Sequence, residues 1–269
     1  MTGAEIETEI EKGAIRVGLL NLQAGRGTTD GWFQYASEAW KNILPHGTDK
    51  VEAAAGFVKR EGIDVMCLCE VDNGSFRSGN VDQVELLSKL TGLKYSHFFL
   101  AYSLGVLKLG NAIISRYPVL STEQFPMHGN LENRVLGKAT VYVGKIPIDV
   151  FATHLSRDAD YRGAQIRYVS KIVSRAKHPA VIAGDFNVAN ESELRPLLGM
   201  PQMAQALTFP TYPSWEPRSR LDVVMAMGLP IKSRGAHIGE KFSDHLPVTA
   251  EVYLGGQNGG SSYAEHRKI

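Results

Sequence analysis

The stretch AVIAGDFNV, Ala180 to Val188, constrains this chain more than any other. Val181, Ile182 and Ala183 form a short apolar run bounded by turn residues, which reads as a buried strand. Gly184 lets the backbone turn tightly and introduces two polar side chains, Asp185 and Asn187. Being two residues apart, they face the same way if the segment stays extended. An acceptor-only carboxylate beside a carboxamide can hold a water molecule and aim it. A buried strand that ends in such a pair is where α/β proteins place their chemistry. Asp and Asn after Gly also make ordinary turns, so the rest of the chain has to decide between the two readings.

Other buried-looking runs end in the same manner. Ile15 to Asn21 reads as a strand, followed by a loop from Gln23 to Asp30, and Ile63 to Leu68 is a second strand with Glu70 just beyond it. Ile146 to His154 ends in an imidazole, and Leu221 to Met225 carries Asp222 at its start. Asp244 and His245 precede the strand Val248 to Leu254. One polar strand end is usually an accident of surface. Several together predict one shared rim.

The intervening segments predict a mixed α/β organisation. Helices are expected at Asp49 to Glu61, with Asp49 as N-cap and Glu52 as its reciprocal partner, and at Asn80 to Leu90, with Gln83 as a cap. Further helices are expected at Asp160 to Arg175 and at Asn190 to Leu198, the last capped by Asn190 and Glu193. Trp32 to Ile43 reads as an aromatic segment with a short helix. Strand patterns cover Tyr95 to Tyr102, Asn111 to Ser115, Val119 to Phe125, Lys138 to Val143 and Ile231 to Ile238, and Gly144-Lys145 predicts a hairpin. Thr208 to Arg220 reads as a long ordered loop whose Tyr212 and Trp215 can stack on a base or cover a headgroup. One domain over residues 1–254 is expected, with a disordered tail over residues 255–269.

Composition limits the function classes. A net charge of +1 argues against a dedicated nucleic-acid binder, which usually carries a basic excess. Cys67 and Cys69 share one face of an apolar strand and read as buried thiols. They are the chain's two cysteines, so neither a disulfide framework nor a cysteine zinc cage is expected. The acidic start has no signal-peptide core, and no apolar run approaches a membrane span of about 18 residues or more. The expectation is a soluble protein without a transmembrane segment, cytoplasmic as given or exported if a leader has been removed.

The chemistry follows from the residue types. Glu70 after the apolar VMCLC is expensive unless a cation or partner meets it. Asn21 and Glu70 offer only oxygen ligands, which suit Mg²⁺ or Mn²⁺. Adjacent residues on extended backbone point opposite ways, so Asp222 is a better partner for His245 than Asp244 is. No Gly-x-Ser-x-Gly elbow or exposed cysteine offers a covalent nucleophile, so activated water is the expected attacker.

LLNLQ, CLCEVD, GNAIISRYP, FATHLS, GDFN, SRLDVV and SDHLPV stand in that order. Together they resemble the motifs of the endonuclease/exonuclease/phosphatase superfamily, which spans nucleases, inositol polyphosphate phosphatases and bacterial sphingomyelinases. The resemblance runs from about Asn21 to Val248 and implies a four-layer α/β sandwich of two packed mixed β-sheets flanked by helices. It also implies a divalent-metal phosphoesterase. By motif match, Glu70 is the main metal ligand, with Asn21 and Asp244 nearby. Asp185 and Asn187 resemble the pair that orients the attacking water, and His245, held by Asp222, resembles the histidine on the scissile phosphate. His154 resembles a histidine that hydrogen-bonds the phosphate or protonates the leaving oxygen, and Asn111 a phosphate-side contact.

Cys69 before Glu70 departs from the Gln-Glu of the repair endonucleases and counts against an abasic-site role. Arg77 reads either as a phosphate-binding fork or as a solvated loop arginine. The expected substrate is a small or lipid-linked phosphodiester. Nucleic acid is the alternative, and a non-catalytic binding module on the same fold is a further rival.

Overall fold

The computed structural model describes residues 13–130, 132–205 and 209–254. Thr208 and the tail expected from Gly255 onward lie outside the described residues.

Twelve strands form two six-stranded sheets. The first half of the chain supplies β1 (Ala14–Asn21), α1 (Trp32–Ser37), α2 (Asp49–Arg60), β2 (Val65–Asp72), α3 (Gln83–Thr91), β3 (Tyr95–Leu104) and β4 (Leu107–Ser115). Then follow β5 (Val119–Met127), β6 (Arg134–Val143), β7 (Ile146–His154), α4 (Ala159–Val173) and β8 (Ala180–Asp185). The chain continues through α5 (Arg195–Leu198), β9 (Met203–Gln205), β10 (Asp222–Met227), β11 (Ile231–Ala236) and β12 (Val248–Tyr253). One sheet has the order β11-β12-β1-β2-β4-β3 and the other β5-β6-β7-β8-β10-β9.

Residue alternation explains the layers. Val17 and Leu19, Val65 and Cys67, and Val181 and Ala183 all point into the core between the sheets. Their neighbours Leu20, Met66 and Leu68 face out beneath α2 and α3, against Val51, Ala54, Phe57, Val84 and Leu87. On the second sheet, Phe151 and Ile182 face out beneath Ile166, Val169 and Val173 of α4. Strands apolar on both faces must be covered on both faces, so helix–sheet–sheet–helix is the packing these sequences require. Both cysteines are buried thiols.

Each sheet holds one parallel pair, β1 with β2 and β7 with β8. Parallel neighbours need a long crossover, supplied by α2 and by α4. The other pairs are antiparallel. The carboxyl ends of β1, β2, β7 and β8 therefore meet the amino ends of β10 and β12 at one edge of the sandwich.

Several boundaries differ from the sequence reading. Thr48, not Asp49, is the N-cap residue of α2, and its hydroxyl bonds Glu52 Oε1 at 2.7 Å. Asp82 caps α3 by accepting from the Val84 and Glu85 amides. Gln83 is no cap: its Oε1 accepts from the Asp72 amide and its Nε2 donates to the Ala24 carbonyl, so it ties β2 to the loop after β1. The capping pair Asn190 and Glu193 is present, but on a 3₁₀ turn, Glu191–Leu194, that leads into the four-residue α5. The strand Met203–Gln205 and the hairpin extensions of β4 and β6 toward Leu107 and Arg134 have no counterpart in the sequence reading.

Candidate active site

The residues that gather at the shared edge do so by parity. Asn21 follows Val17 and Leu19 on the inward face of β1, and His154 follows Val150 and Ala152 on β7. Asp185 follows Val181 and Ala183 on β8, and Asp222 precedes Val224 and Ala226 on β10. Register sets Asp185 between His154 on one side and Asp222 on the other. These polar groups close the mouth of the core between the sheets.

Glu70 breaks the parity rule. On an unbroken strand it would share the outward face with Met66 and Leu68. Between Leu68 and Val71 the register against β4 shifts, so Cys69 and Glu70 together oppose Asn111. Glu70 takes a left-handed φ of 50° there. A bulge of this kind re-aims a side chain, and Glu70 Oε1 comes 3.2 Å from Asn21 Nδ2 and 3.7 Å from His154 Nδ1. Gln23, Ala24 and Asn187 are also left-handed. Such backbone costs about 1–3 kcal/mol per residue and collects at functional sites.

Asp185 is the hub. Its Oδ2 accepts from Asn21 Nδ2 at 3.1 Å and lies 3.5 Å from His154 Nε2 and 3.7 Å from His245 Nε2. Its Oδ1 accepts from the Asn187 amide at 3.0 Å. The left-handed Asn187 ends the extended run, so the expected same-face pairing with Asp185 does not arise from strand geometry. The Asn187 side chain instead donates to the Leu155 carbonyl at 2.9 Å. Asn21 likewise turns its amide nitrogen, not its oxygen, toward Glu70 and Asp185, while its Oδ1 accepts from the Gln23 amide.

His245 Nδ1 stands 2.8 Å from Asp222 Oδ2, which also accepts from Thr211 Oγ1 at 2.5 Å. Asp244 points the other way and accepts from Gln23 Nε2 at 2.9 Å. Ser243 fastens this loop to β1 through the Asn21 carbonyl at 2.5 Å. Asn111 donates across the sheets to the Val135 carbonyl and lines a narrow recess with Glu70, Arg134 and His154. Arg77 is not a solvated loop arginine. It is buried, with Nε 2.7 Å from Asp72 Oδ2, on the wall of a cavity shared with Glu70 and His154.

Electrostatics divides the two imidazoles. Burial alone would lower the His245 pKa, but Asp222, Asp185 and Asp244 outweigh it and push it up to about 10, so the ring is cationic. Burial holds His154 well below the usual imidazole value, with Arg134, His245 and Arg157 acting in the same direction, so that ring is neutral. Burial raises Asp185 to about 7, with Asp222 and Glu70 adding to the shift. Asp244 rises to about 6, again chiefly by burial with Glu70 adding to it.

Three carboxylates crowded in this way fit a hard divalent cation. Glu70 and Asp244 offer oxygen donors with Asp185 beside them, and burial together with the neighbouring Glu70 raises both aspartates, a cost that a nearby cation relieves. Asp185, Asp222 and His245 also lie within 4.8 Å of one another. That trio suits a cation less well, because Asp222 and His245 are already bonded to each other and the ring is positive.

Sequence reasoning missed Gln23, Thr211, Arg134, Arg157 and Ser243. Gln23 stands in the LLNLQ motif, but nothing local marks it as the partner of a residue 221 positions away. The aromatic segment opened by Trp32 reaches the site. Trp32 packs edge-on against Trp215 and Tyr212, with ring centroids 5.3 and 6.4 Å apart, and Tyr212 lies 4.9 Å from the His245 ring.

The model of the endonuclease/exonuclease/phosphatase family matches residues 27–245. An endonuclease/exonuclease/phosphatase from Beutenbergia cavernae aligns with a TM-score of 0.72 at 24% identity, covering 90% of this chain and 72% of its own. The mannosyl-6-phosphatase of Bacteroides thetaiotaomicron aligns at 0.62 and 13% identity, over 88% of this chain and 99% of its own. Truncated TDP2 of Caenorhabditis elegans aligns at 0.62 and 17%, over 89% and 97%. These likenesses show the shared fold, and no curated protein matches the chain. The family match spans most of the sequence, and the chain belongs to the endonuclease/exonuclease/phosphatase family.

Proposed function

We propose that this chain is a divalent-metal-dependent phosphoesterase that hydrolyses phosphodiesters by attack of an activated water. The observation that carries the reading is the buried row His154, Asp185, His245 and Asp222, which places a carboxylate of pKa about 7 between a neutral and a cationic imidazole.

A base works best when its pKa lies near the operating pH, and Asp185 meets that condition for taking a proton from water. Cationic His245, fixed by Asp222, donates from Nε2 to a non-bridging phosphate oxygen as negative charge develops there. Neutral His154 is a hydrogen-bond donor to the phosphate. Its lowered pKa argues against the other expected task, protonating the leaving oxygen. Glu70 would hold the cation with Asp244 nearby, while Asn21, whose amide nitrogen faces the carboxylates, orients them, and bound Mg²⁺ or Mn²⁺ would supply positive charge at the phosphate. Asn187, pinned to Leu155, and Asn111, pinned to Val135, offer their remaining amide hydrogens as fixed dipoles.

A small or lipid-linked diester remains the favoured substrate, since a net charge of +1 gives little attraction for a polyanion. The aromatic trio Trp32, Tyr212 and Trp215 beside His245 favours a second reading, a nuclease that stacks a base there. The test is turnover of bis-p-nitrophenyl phosphate with Mn²⁺ by the parent, Asp185→Ala and His245→Ala. Each variant should lose about 10²–10³-fold in kcat, and chelator should abolish the parent's activity. One background rate shared by all three proteins would overturn the reading. Plasmid cleavage that outpaces all small diesters would favour the nuclease.

A further inference from the structure

Behind Glu70 and His154 the molecule holds a cavity of about 450 Å³, within the range of ligand pockets. Its wall includes Arg77, Arg134 and Arg157. The proposed chemistry uses none of them. Glu70 and His154 form its boundary with the row described above, so whatever occupies it is continuous with a phosphate held at Asp185 and His245.

The three guanidiniums are arranged differently. Arg77 is buried and braced by Asp72, which also accepts from the Ser75 amide and the Ser78 hydroxyl. That bracing satisfies Nε, and the side chain lines the cavity wall. Arg134 opens β6 with Nε buried and, among the described residues, without a hydrogen-bond partner, and Nη1 makes a 3.3 Å ion pair with Glu132. Glu132 is 44% exposed at the cavity lip, so an incoming anion can displace it. Arg157 stands just past β7, and its pKa is raised because the nearby Glu70 and Asp185 carboxylates outweigh the effect of burial. The other carboxylate on the wall, Asp158, is committed to capping α4 through the Asp160 and Tyr161 amides. A planar fork with unused donors matches phosphate oxygens in pairs.

We infer that this cavity is a second anion subsite, and that the substrate carries a further phosphate-like group beside its scissile phosphodiester. The inference rests on the proposed hydrolysis for which phosphate is cleaved, but the subsite itself can be tested without turnover. A larger cleft of about 520 Å³, lined by Asn187, Asn190, Arg218 and Arg220 among others, includes none of the row's four residues and offers no comparable continuity.

The experiment is calorimetric titration of inorganic phosphate into the metal-free full chain. The parent should bind phosphate, and Arg134→Gln/Arg157→Gln should bind about tenfold more weakly or worse, the loss of a charged hydrogen bond or two. His245→Ala should keep the binding, and so should the exposed-surface control Lys89→Gln. Arg157→Gln alone, at an exposed position, serves if the double variant melts abnormally. No binding by the parent, or binding lost in His245→Ala but kept in the arginine variants, would overturn the subsite.

The second arm compares thymidine 5′-(p-nitrophenyl phosphate) with the same ester carrying a 3′-phosphate, each with Mn²⁺. The parent should favour the 3′-phosphorylated ester in kcat/KM through KM, and the arginine variants should lose that preference. Equal kcat/KM for the two esters in the parent would overturn the substrate class. Failure to cleave either ester would instead count against the proposed hydrolysis, with the phosphate titration still deciding the subsite.

Discussion

Three groups at the site, Asp185, Asp244 and His245, bind protons more tightly in the folded chain than their residue types do in water, at about 7, 6 and 10. A group whose folded pKa is raised adds stability below its unfolded value and loses that contribution as pH climbs through the folded one. The metal-free protein should therefore melt at a lower temperature near about pH 9 than near about pH 6. A cation needs the ionised carboxylates, so the rise in melting temperature produced by Mn²⁺ should grow from about pH 5 to about pH 8. At a concentration of 100 times Kd that rise corresponds to about 2.7 kcal/mol, or about 2–4 °C for each kcal/mol. A Mn²⁺ effect that ignores pH, read by scanning calorimetry, would remove Asp244 from the cation's ligand set and Asp185 from its neighbourhood. His245 has a separate signature. In Asp222→Asn its imidazole, followed by NMR, should titrate well below the parent value, since Asp222 is the strongest influence raising it.

At the scale of strands, the site depends on how closely β7 and β8 approach. A Cβ on Gly184 would meet the Thr153 carbonyl oxygen at 2.1 Å, and a backbone atom in a central strand has no room to retreat. Gly184→Ala should cost at least about 1–3 kcal/mol by overpacking and displace Asp185 at the end of the same strand. Thermal melting together with kcat on bis-p-nitrophenyl phosphate checks both effects. An unchanged melting temperature would show that the two strands are looser than described. The loop after β2 has its own anchor in Asp72, which is fully buried and ion-paired to Arg77. Asp72→Ala leaves a buried cation unpaired, at a cost of about 3–5 kcal/mol. Ser75, Ser78 and the Arg77 wall of the cavity should loosen with it, visible as faster amide exchange over residues 73–81.

For the whole molecule, the two sheets share one core. Phe99 of the first sheet sits so close to Gly137 of the second that a Cβ there would lie 2.2 Å from its ring. We take residues 13–254 as one cooperative unit on this ground. Phe99→Ala should lower stability by about 3–5 kcal/mol while keeping a single transition. Far-UV circular dichroism and tryptophan fluorescence should coincide through that transition, and two separated transitions would divide the sheets into independent units.

Local pattern was enough to name every strand but β9, their apolar faces, and Asn21, Glu70, His154, Asp185, Asp222, Asp244 and His245 as polar groups at or near strand ends. An apolar run and the residue that terminates it are adjacent in sequence, so side-chain parity and turn chemistry already carry that information. The tertiary structure alone decided what those groups face. Glu70 enters the site because a bulge opposite Asn111 reverses its side, and no pattern within VMCLCEVD predicts a register shift against a strand about 40 residues away. Gln23 with Asp244 and Thr211 with Asp222 are partners across loops, and Arg134 and Arg157 share one cavity wall. Their proximity comes from the crossovers and from sheet-on-sheet packing, long-range facts that a residue's own neighbours in sequence do not encode.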